Sequence, residues 1–501
     1  MLDSVFGVAL AAVAPVIAYW LYWRITHKRM LELAALVPGP PALPILGNAL
    51  TFMVQPGQQL DIICELMNKY GQYVKFWLGP DLNIVVSNPH DIRLLLTSNK
   101  VNQKGPAYEY MKPFIGPGIL TGGPTWRNHR KIATSSYNKR SLQLYSPIFN
   151  REAEEFVRVL SNKNPDKSFN VFRDVLNSTT QCVCQTLMGL SKDESKNVKR
   201  MDEVVTKTEH MYRLIFSKMT RWWLQIPLIY WCTGKKRLEE YYTKAVDEMT
   251  TDILQKRLND RKKNKIVDED AMGIVDRYVL SGELNEQEIK WETFSLFTTS
   301  QEAGAKIASG VLLFLAHLPE WQNKVYNEII EVLGPQDDDV DEDQLKKLHN
   351  LDMVFKEVLR YLPIAALIQR TVEEEITINN GKFTLPKGTS LVIAIHNLHR
   401  DPDYWEEPNK VMPERFSSEN IKKRDPSVFI PFSLGPMDCL GRVFGTVMIK
   451  TIVVKALRHL QFEADGALEN LAVNVAISVS FAKGYNLRVR PRNKGREHTR
   501  A

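Results

Sequence analysis

Between about residue 55 and residue 335, apolar residues recur every three or four positions with charged residues between them, as in 151–160 and 238–258. That spacing places the apolar side chains on one face of a helix. A chain that keeps it for so long must fold mainly as packed helices. Strand signals are few. Residues 73–78 and 82–86 read as an early hairpin across Gly79-Pro80, 376–383 as strand–turn–strand, and 391–395 as a further strand. Residues 440–460 return to helix. No repeat and no clear linker follows residue 48. The prediction is a mainly α chain with small β-sheets (α+β), in a single large domain over 49–501.

Residues 5–23 carry no charge, while Arg24, Lys28 and Arg29 follow and Tyr19, Trp20, Tyr22 and Trp23 crowd the basic end. At about 1.5 Å per residue such a helix nearly crosses a hydrocarbon core of roughly 30 Å. The aromatic belt and the basic flank predict an N-terminal transmembrane anchor over 1–30 with the rest of the chain in the cytosol. A cleaved signal peptide fits less well, because the positive charge lies on the wrong side and no small-residue cleavage site follows. The segment 31–48 contains Pro38, Pro40, Pro41 and Pro44 and reads as a stiff hinge. With 44% hydrophobic and 25% charged residues the chain is neither disordered nor polytopic in a membrane. Its net charge of +7 fits contact with anionic lipid or an acidic protein, and is a weak case for nucleic acid. Five scattered cysteines do not make a disulfide scaffold.

Zinc-protease and phosphate-loop motifs are absent, and the glycines at 116, 118, 122 and 123 lack the strand and helix that a dinucleotide site needs. Any redox chemistry must therefore draw its electrons from elsewhere. Cys182 and Cys184 are spaced too closely for a redox pair and read as core. Cys439 differs. The run 432–441, Phe-Ser-Leu-Gly-Pro-Met-Asp-Cys-Leu-Gly, sets a cysteine between a glycine-rich turn and a long apolar helix. A thiolate there would accept backbone N–H groups at the helix N-terminus. Gly435 permits a tight turn, and Gly441 leaves room for a flat ligand. In isolation a buried structural thiol explains the run as well. Upstream lie Trp126-Arg127-Asn128-His129-Arg130, Glu357-Val358-Leu359-Arg360, whose acid and base share a helix face, and Pro413-Glu414-Arg415-Phe416.

That set, in this order and over essentially the whole chain, resembles the cytochrome P450 superfamily, the haem-thiolate monooxygenases of the endoplasmic reticulum. Residues 119–131 are most like the family-4 branch, insect members in particular. The resemblance implies the P450 fold and haem b (iron protoporphyrin IX), with Cys439 as its metal ligand. It implies that Trp126, Arg130 and Arg370 hold the haem propionates and that Phe432 packs near the iron–sulfur bond. Gly435 and Gly441 shape the cofactor loop, and Glu357, Arg360 and Arg415 form a buried ion-pair network. NADPH acts indirectly, through a membrane-bound NADPH–cytochrome P450 reductase docked against Arg127, Arg130, Lys131 and Arg442, with cytochrome b5 as a further partner. A small lipophilic substrate, fatty acid-like, would be lined by residues in 107–120, 294–303 and 363–367.

The chain departs from the family pattern in three places. The distal helix reads Thr299-Ser300-Gln301-Glu302-Ala303-Gly304, so the acid is kept as Glu302 while the proton-delivering threonine is Ala303. Ser300, one turn back, is the expected substitute, and Glu302 and Ser300 are the catalytic candidates. Thr299 replaces the glutamate that can esterify haem in family-4 enzymes, so haem is expected to be non-covalent apart from the Cys439 ligand. Met437 replaces an arginine near the propionates, and Met448 an acid in the last long helix. The loss of the threonine keeps two alternatives open: a haem-thiolate isomerase or dehydratase acting on peroxides without a reductase, and a catalytically impaired haem- or lipid-binding protein.

Overall fold

The helical spacing of the sequence becomes real helices, several of them started by side-chain caps. The longest, Glu286–His317, starts at a capping box in which the Asn285 side chain accepts from the Glu288 N–H and the Glu288 carboxylate accepts from the Asn285 N–H. Pro319 enforces its end. The computed structural model describes residues 14, 15, 17–263, 269–468 and 471–492. They form two compact units.

The first unit comprises the N-terminal part through Pro106 together with Leu367–Ala394 and Gly435–Met437. Its helices are α1 (Lys28–Leu36), α2 (Gln59–Tyr70) and α3 (Pro89–Thr97). Its strands are β1 (Tyr73–Leu78), β2 (Asp81–Val86), β3 (Gln103–Lys104), β4 (Leu367–Thr371), β5 (Ile376–Ile378), β6 (Phe383–Leu385) and β7 (Ser390–Ala394). A five-stranded sheet runs β1-β2-β7-β4-β3, parallel only between β2 and β7. The hairpin across Gly79-Pro80 pairs Leu78 with Asp81 as expected. The second hairpin, β5–β6, turns through Asn379, Asn380 and Gly381, all at positive φ. Phe52, Ile63, Leu66, Val74, Phe76 and Val85 form the core of this unit.

The second unit holds the rest, including α4 (Trp126–Thr134), α5 (Lys139–Ser161), α6 (Phe172–Thr186), α7 (Met201–Thr220), α8 (Lys235–Lys262), α9 (Glu286–His317), α10 (His349–Tyr361) and α11 (Arg442–His459). Buried on nearly every side, α9 packs against α6, α8, α10 and α11. It lies so near α11 that a Cβ at Gly304 would stand 2.6 Å from the Met448 Cε. The small residue at 304 and the thioether at 448 therefore fit each other. A short hairpin, β8 (Val473–Val475) and β9 (Val479–Phe481), closes the unit. Cys182 and Cys184 are both buried on α6.

Most of the expected anchor, residues 5–23, lies outside the described residues. Among the described residues no helix is long and apolar enough to cross a membrane. The described part after residue 16 is helical and leaves Ile17, Tyr19, Leu21, Tyr22 and Ile25 exposed.

Candidate active site around Cys439

The cysteine loop is shaped by its backbone. Ser433 takes φ +62° and Gly435 φ +77°, and the Cys439 N–H donates back to the Phe432 carbonyl at 2.9 Å. In the first unit, Gly435 passes so near the Leu96 carbonyl oxygen that any Cβ would collide with it. Its positive φ excludes larger residues independently.

Cys439 follows that turn and precedes α11 by three residues. Burial raises its pKa. Against this the Gly441 N–H donates to Sγ; Asp438 adds to the rise, while Arg442 and Arg130 favour the thiolate. The thiol nonetheless keeps exposed surface, so it faces open space in a crowded surrounding. Two glycines extend that open side. A Cβ on Gly441 would meet only the Tyr137 Cε1 at 3.9 Å, and one on Gly445, a turn into α11, would meet nothing within 4 Å. A free thiol here stays protonated, whereas a metal cation at Sγ supplies the positive charge that the thiolate lacks. The residues present thus fit a flat, metal-bearing group set against the first turn of α11.

Around this centre the expected residues take individual places. Trp126 is 7% exposed at the start of α4. Arg130, expected at a propionate, grips Asp438, donating to its carbonyl at 2.7 Å and its carboxylate at 2.6 Å. Arg442 holds the other carboxylate oxygen at 2.9 Å. Asp438 therefore ties α4 to the start of α11 beside the thiol. Phe432 packs its ring under the Arg442 guanidinium at 5.7 Å. Arg370 belongs to the first unit, buried on β4 and donating to the Gln369 carbonyl at 3.0 Å.

The two catalytic candidates are on opposite faces of α9, since two residues turn a helix by about 200°. Ser300 is half-buried on the face of α9 opposite Glu302. Glu302 forms an ion pair with Lys306 at 2.6 Å, both 8% exposed at the side chain. Ser478, in the β8–β9 turn, donates to Glu302 at 3.0 Å and accepts from Lys306 at 2.6 Å. Lys306, Ser478, Tyr137 and Asp438 were not evident as site residues from the sequence. Only Lys306 left a trace, as a charge in an otherwise apolar helical run.

Behind the site, Glu357 and Arg360 are completely buried and bidentate at 2.7 and 2.8 Å. Arg360 also donates to the carbonyls of His399, Pro408 and Lys410. The Arg415 Nε stands 3.6 Å from Glu357, and the Met412 N–H donates to the same carboxylate. The expected network is therefore assembled, with backbone carbonyls as its main acceptors.

A cysteine on a tight turn beside an open glycine face, on a mainly helical scaffold with a buried Glu–Arg lock, suits a haem-thiolate protein. The family model of cytochrome P450 matches residues 37–479, and the chain belongs to that family. It is 29% identical to human (Homo sapiens) cytochrome P450 4V2, covering 90% of this chain and 89% of that protein. It is 30% identical to cytochrome P450 4d10 of Drosophila mettleri, covering 95% and 96%, and 28% identical to cytochrome P450 4d1 of Drosophila melanogaster, covering 89% and 91%. The chain is an oxidoreductase, a haem-thiolate monooxygenase of the family-4 kind. Haem iron, when bound, supplies the oxygen activation. Of the residues present, Cys439 would hold that group, and Arg130 and Arg442 fix the neighbouring Asp438.

Proposed function

We propose that this enzyme inserts one oxygen atom from O2 into a fatty acid-like or other small lipophilic molecule, with electrons from NADPH delivered by a membrane-bound reductase. The observation that carries the reading is Cys439 on the turn before α11, next to an Asp438 carboxylate bound by both Arg130 and Arg442, in a chain of the cytochrome P450 family. The exposed Arg127 and Lys131 on α4 and the exposed Arg442 at the start of α11 offer an acidic reductase basic side chains. Cytochrome b5 would use the same surface. Membrane residence at the endoplasmic reticulum is supported by the uncharged N-terminal stretch. It is also supported by the exposed Trp222, Ile226, Leu228 and Trp231, which lie between Arg221 and Lys235. Haem b bound without an ester link agrees with threonine at 299. Glu302 takes part through its charge on the far face of α9, and Trp126, Arg130 and Arg370 remain the proposed propionate partners.

The absence of a hydroxyl at Ala303 favours one second reading, rearrangement of a lipid peroxide without a reductase. Purified full chain, reductase, NADPH and isotopically labelled dioxygen, tested against fatty acids of graded length, decides between them. NADPH-dependent product carrying one labelled oxygen supports the monooxygenase. Conversion of a lipid hydroperoxide without NADPH, and no labelled product, supports the alternative.

A further inference from the structure

About two turns before Ser300, α9 carries a second buried acid. The side chains of Glu292 and of His129 on α4 are 1% and 2% exposed, and the His129 Nδ1 stands 2.8 Å from the Glu292 Oε1. The same oxygen accepts the Ile119 N–H at 2.9 Å. An ionised carboxylate only accepts, so the ring proton lies on Nδ1. The other oxygen, Oε2, is buried with no hydrogen-bond partner among the described residues. The carboxylate is thus oriented through one oxygen, by a side chain of α4 and by the glycine-rich loop.

That loop is shaped to admit it. A Cβ on Gly118 would collide with Oε1, and Gly118 and Gly122 exchange backbone hydrogen bonds at 2.9 and 2.8 Å. The main chain of residue 129 is held as well, since the Tyr278 hydroxyl donates to the His129 carbonyl at 3.3 Å. A buried carboxylate oxygen without a partner costs free energy and calls for a reason. The next residue along α4 supplies one. Arg130 donates to the carbonyl and carboxylate of Asp438, at 2.7 and 2.6 Å, directly before Cys439. Consecutive side chains on a helix point about 100° apart, so fixing residue 129 fixes the direction of residue 130.

We propose that Glu292 and His129 are a positioning pair for the thiolate side of the site: from α9 the carboxylate fixes the rotation of α4 at residue 129 and so aims Arg130 at Asp438. Neither residue touches the reacting atoms, and both act through Arg130. The inference rests on Cys439 as the haem ligand and needs no particular substrate.

The test follows the dithionite-reduced, carbon monoxide-bound full-length chain and reads how fast its thiolate-type Soret band gives way to that of a complex without the thiolate. Several-fold faster loss is expected in Glu292→Leu, in His129→Leu and in Arg130→Gln. Glu292→Gln keeps an oxygen for the Ile119 N–H and the His129 ring, so it should stay close to wild type. Because the pair acts through Arg130, Glu292→Leu should add nothing in the Arg130→Gln background. Effects that multiply in that double variant place the pair in packing and overturn the proposal. A Glu292→Leu band as durable as wild type overturns it, and so does a Glu292→Gln band as short-lived as that of Glu292→Leu. Should Glu292→Leu fail to fold, Gly118→Ala crowds the same carboxylate with a single methyl and must itself hasten the loss; no change there overturns the proposal. A wild type that never shows the band overturns the haem-thiolate reading itself, whereas a normal wild-type band that these substitutions leave unaltered overturns only this inference.

Discussion

Lys306 is a buried charge on the long helix α9, and it persists there because Glu302 and Ser478 satisfy it. Lys306→Met strands the Glu302 carboxylate. Removing one partner of such a pair costs about 3–5 kcal/mol, and pairing the change with Glu302→Gln recovers most of it. Denaturant midpoints of the two singles and the double measure this; a loss below about 1 kcal/mol in Lys306→Met contradicts it. His399 carries a second residue-scale prediction. Burial, then Arg360 and Arg400, lower its pKa to about 3, and its Nε2 accepts the Ile430 N–H at 3.0 Å. Because the folded value lies below the unfolded one, the contribution is complete above the unfolded pKa of about 6.5. As pH falls from there toward about 3, the unfolded chain takes up a proton that the native protein does not, and stability drops by about 1.4 kcal/mol per pH unit. Equilibrium unfolding from pH 7 to 4 should show a slope at least this steep, reduced in His399→Gln. Among residues, Cys439, Glu357 and Arg360 were legible because their chemistry needs fixed spacings along the chain. Ser478 was not, nor was the tie from Asp438 to Arg130, because each joins residues far apart in sequence.

The lock of Glu357 and Arg360 works between elements, joining α10 to the chain around 399–415 through carbonyls that no sequence pattern marks. Glu357→Ala leaves the Arg360 guanidinium buried with its carboxylate gone and opens the Met412 N–H bond. The expected loss is about 3–5 kcal/mol, read as a collapse in haem-loaded yield and a lower unfolding midpoint; a variant that unfolds with wild type contradicts it. Element types followed from the sequence where periodicity was strong, as in α5, α8 and α9, and where turn residues were explicit, as in the two hairpins. The sheet order β1-β2-β7-β4-β3 was hidden, since it joins strands nearly three hundred positions apart. The pairing of Gly304 with Met448 was hidden for the same reason, since it appears only where two helices distant in sequence approach.

At the scale of the whole molecule, the chain is a basic protein of net charge +7, with Arg127, Lys131 and Arg442 among its exposed cations. Reduction by an acidic partner should slow as ionic strength rises, because a Debye length of about 10 Å at 0.1 M salt screens exposed charges. Arg127→Glu with Lys131→Glu should slow it several-fold at low salt and flatten the salt dependence. Stopped-flow reduction in the presence of carbon monoxide measures both, and a rate indifferent to salt and to these substitutions contradicts the docking surface. All of it depends on sulfur ligation at 439, which the spectrum of the dithionite-reduced, carbon monoxide-saturated protein reports directly. The wild type should show the long-wavelength Soret band of a thiolate-ligated haem, and Cys439→Ala should lose it; a colourless wild type, or the same band in Cys439→Ala, would contradict the account.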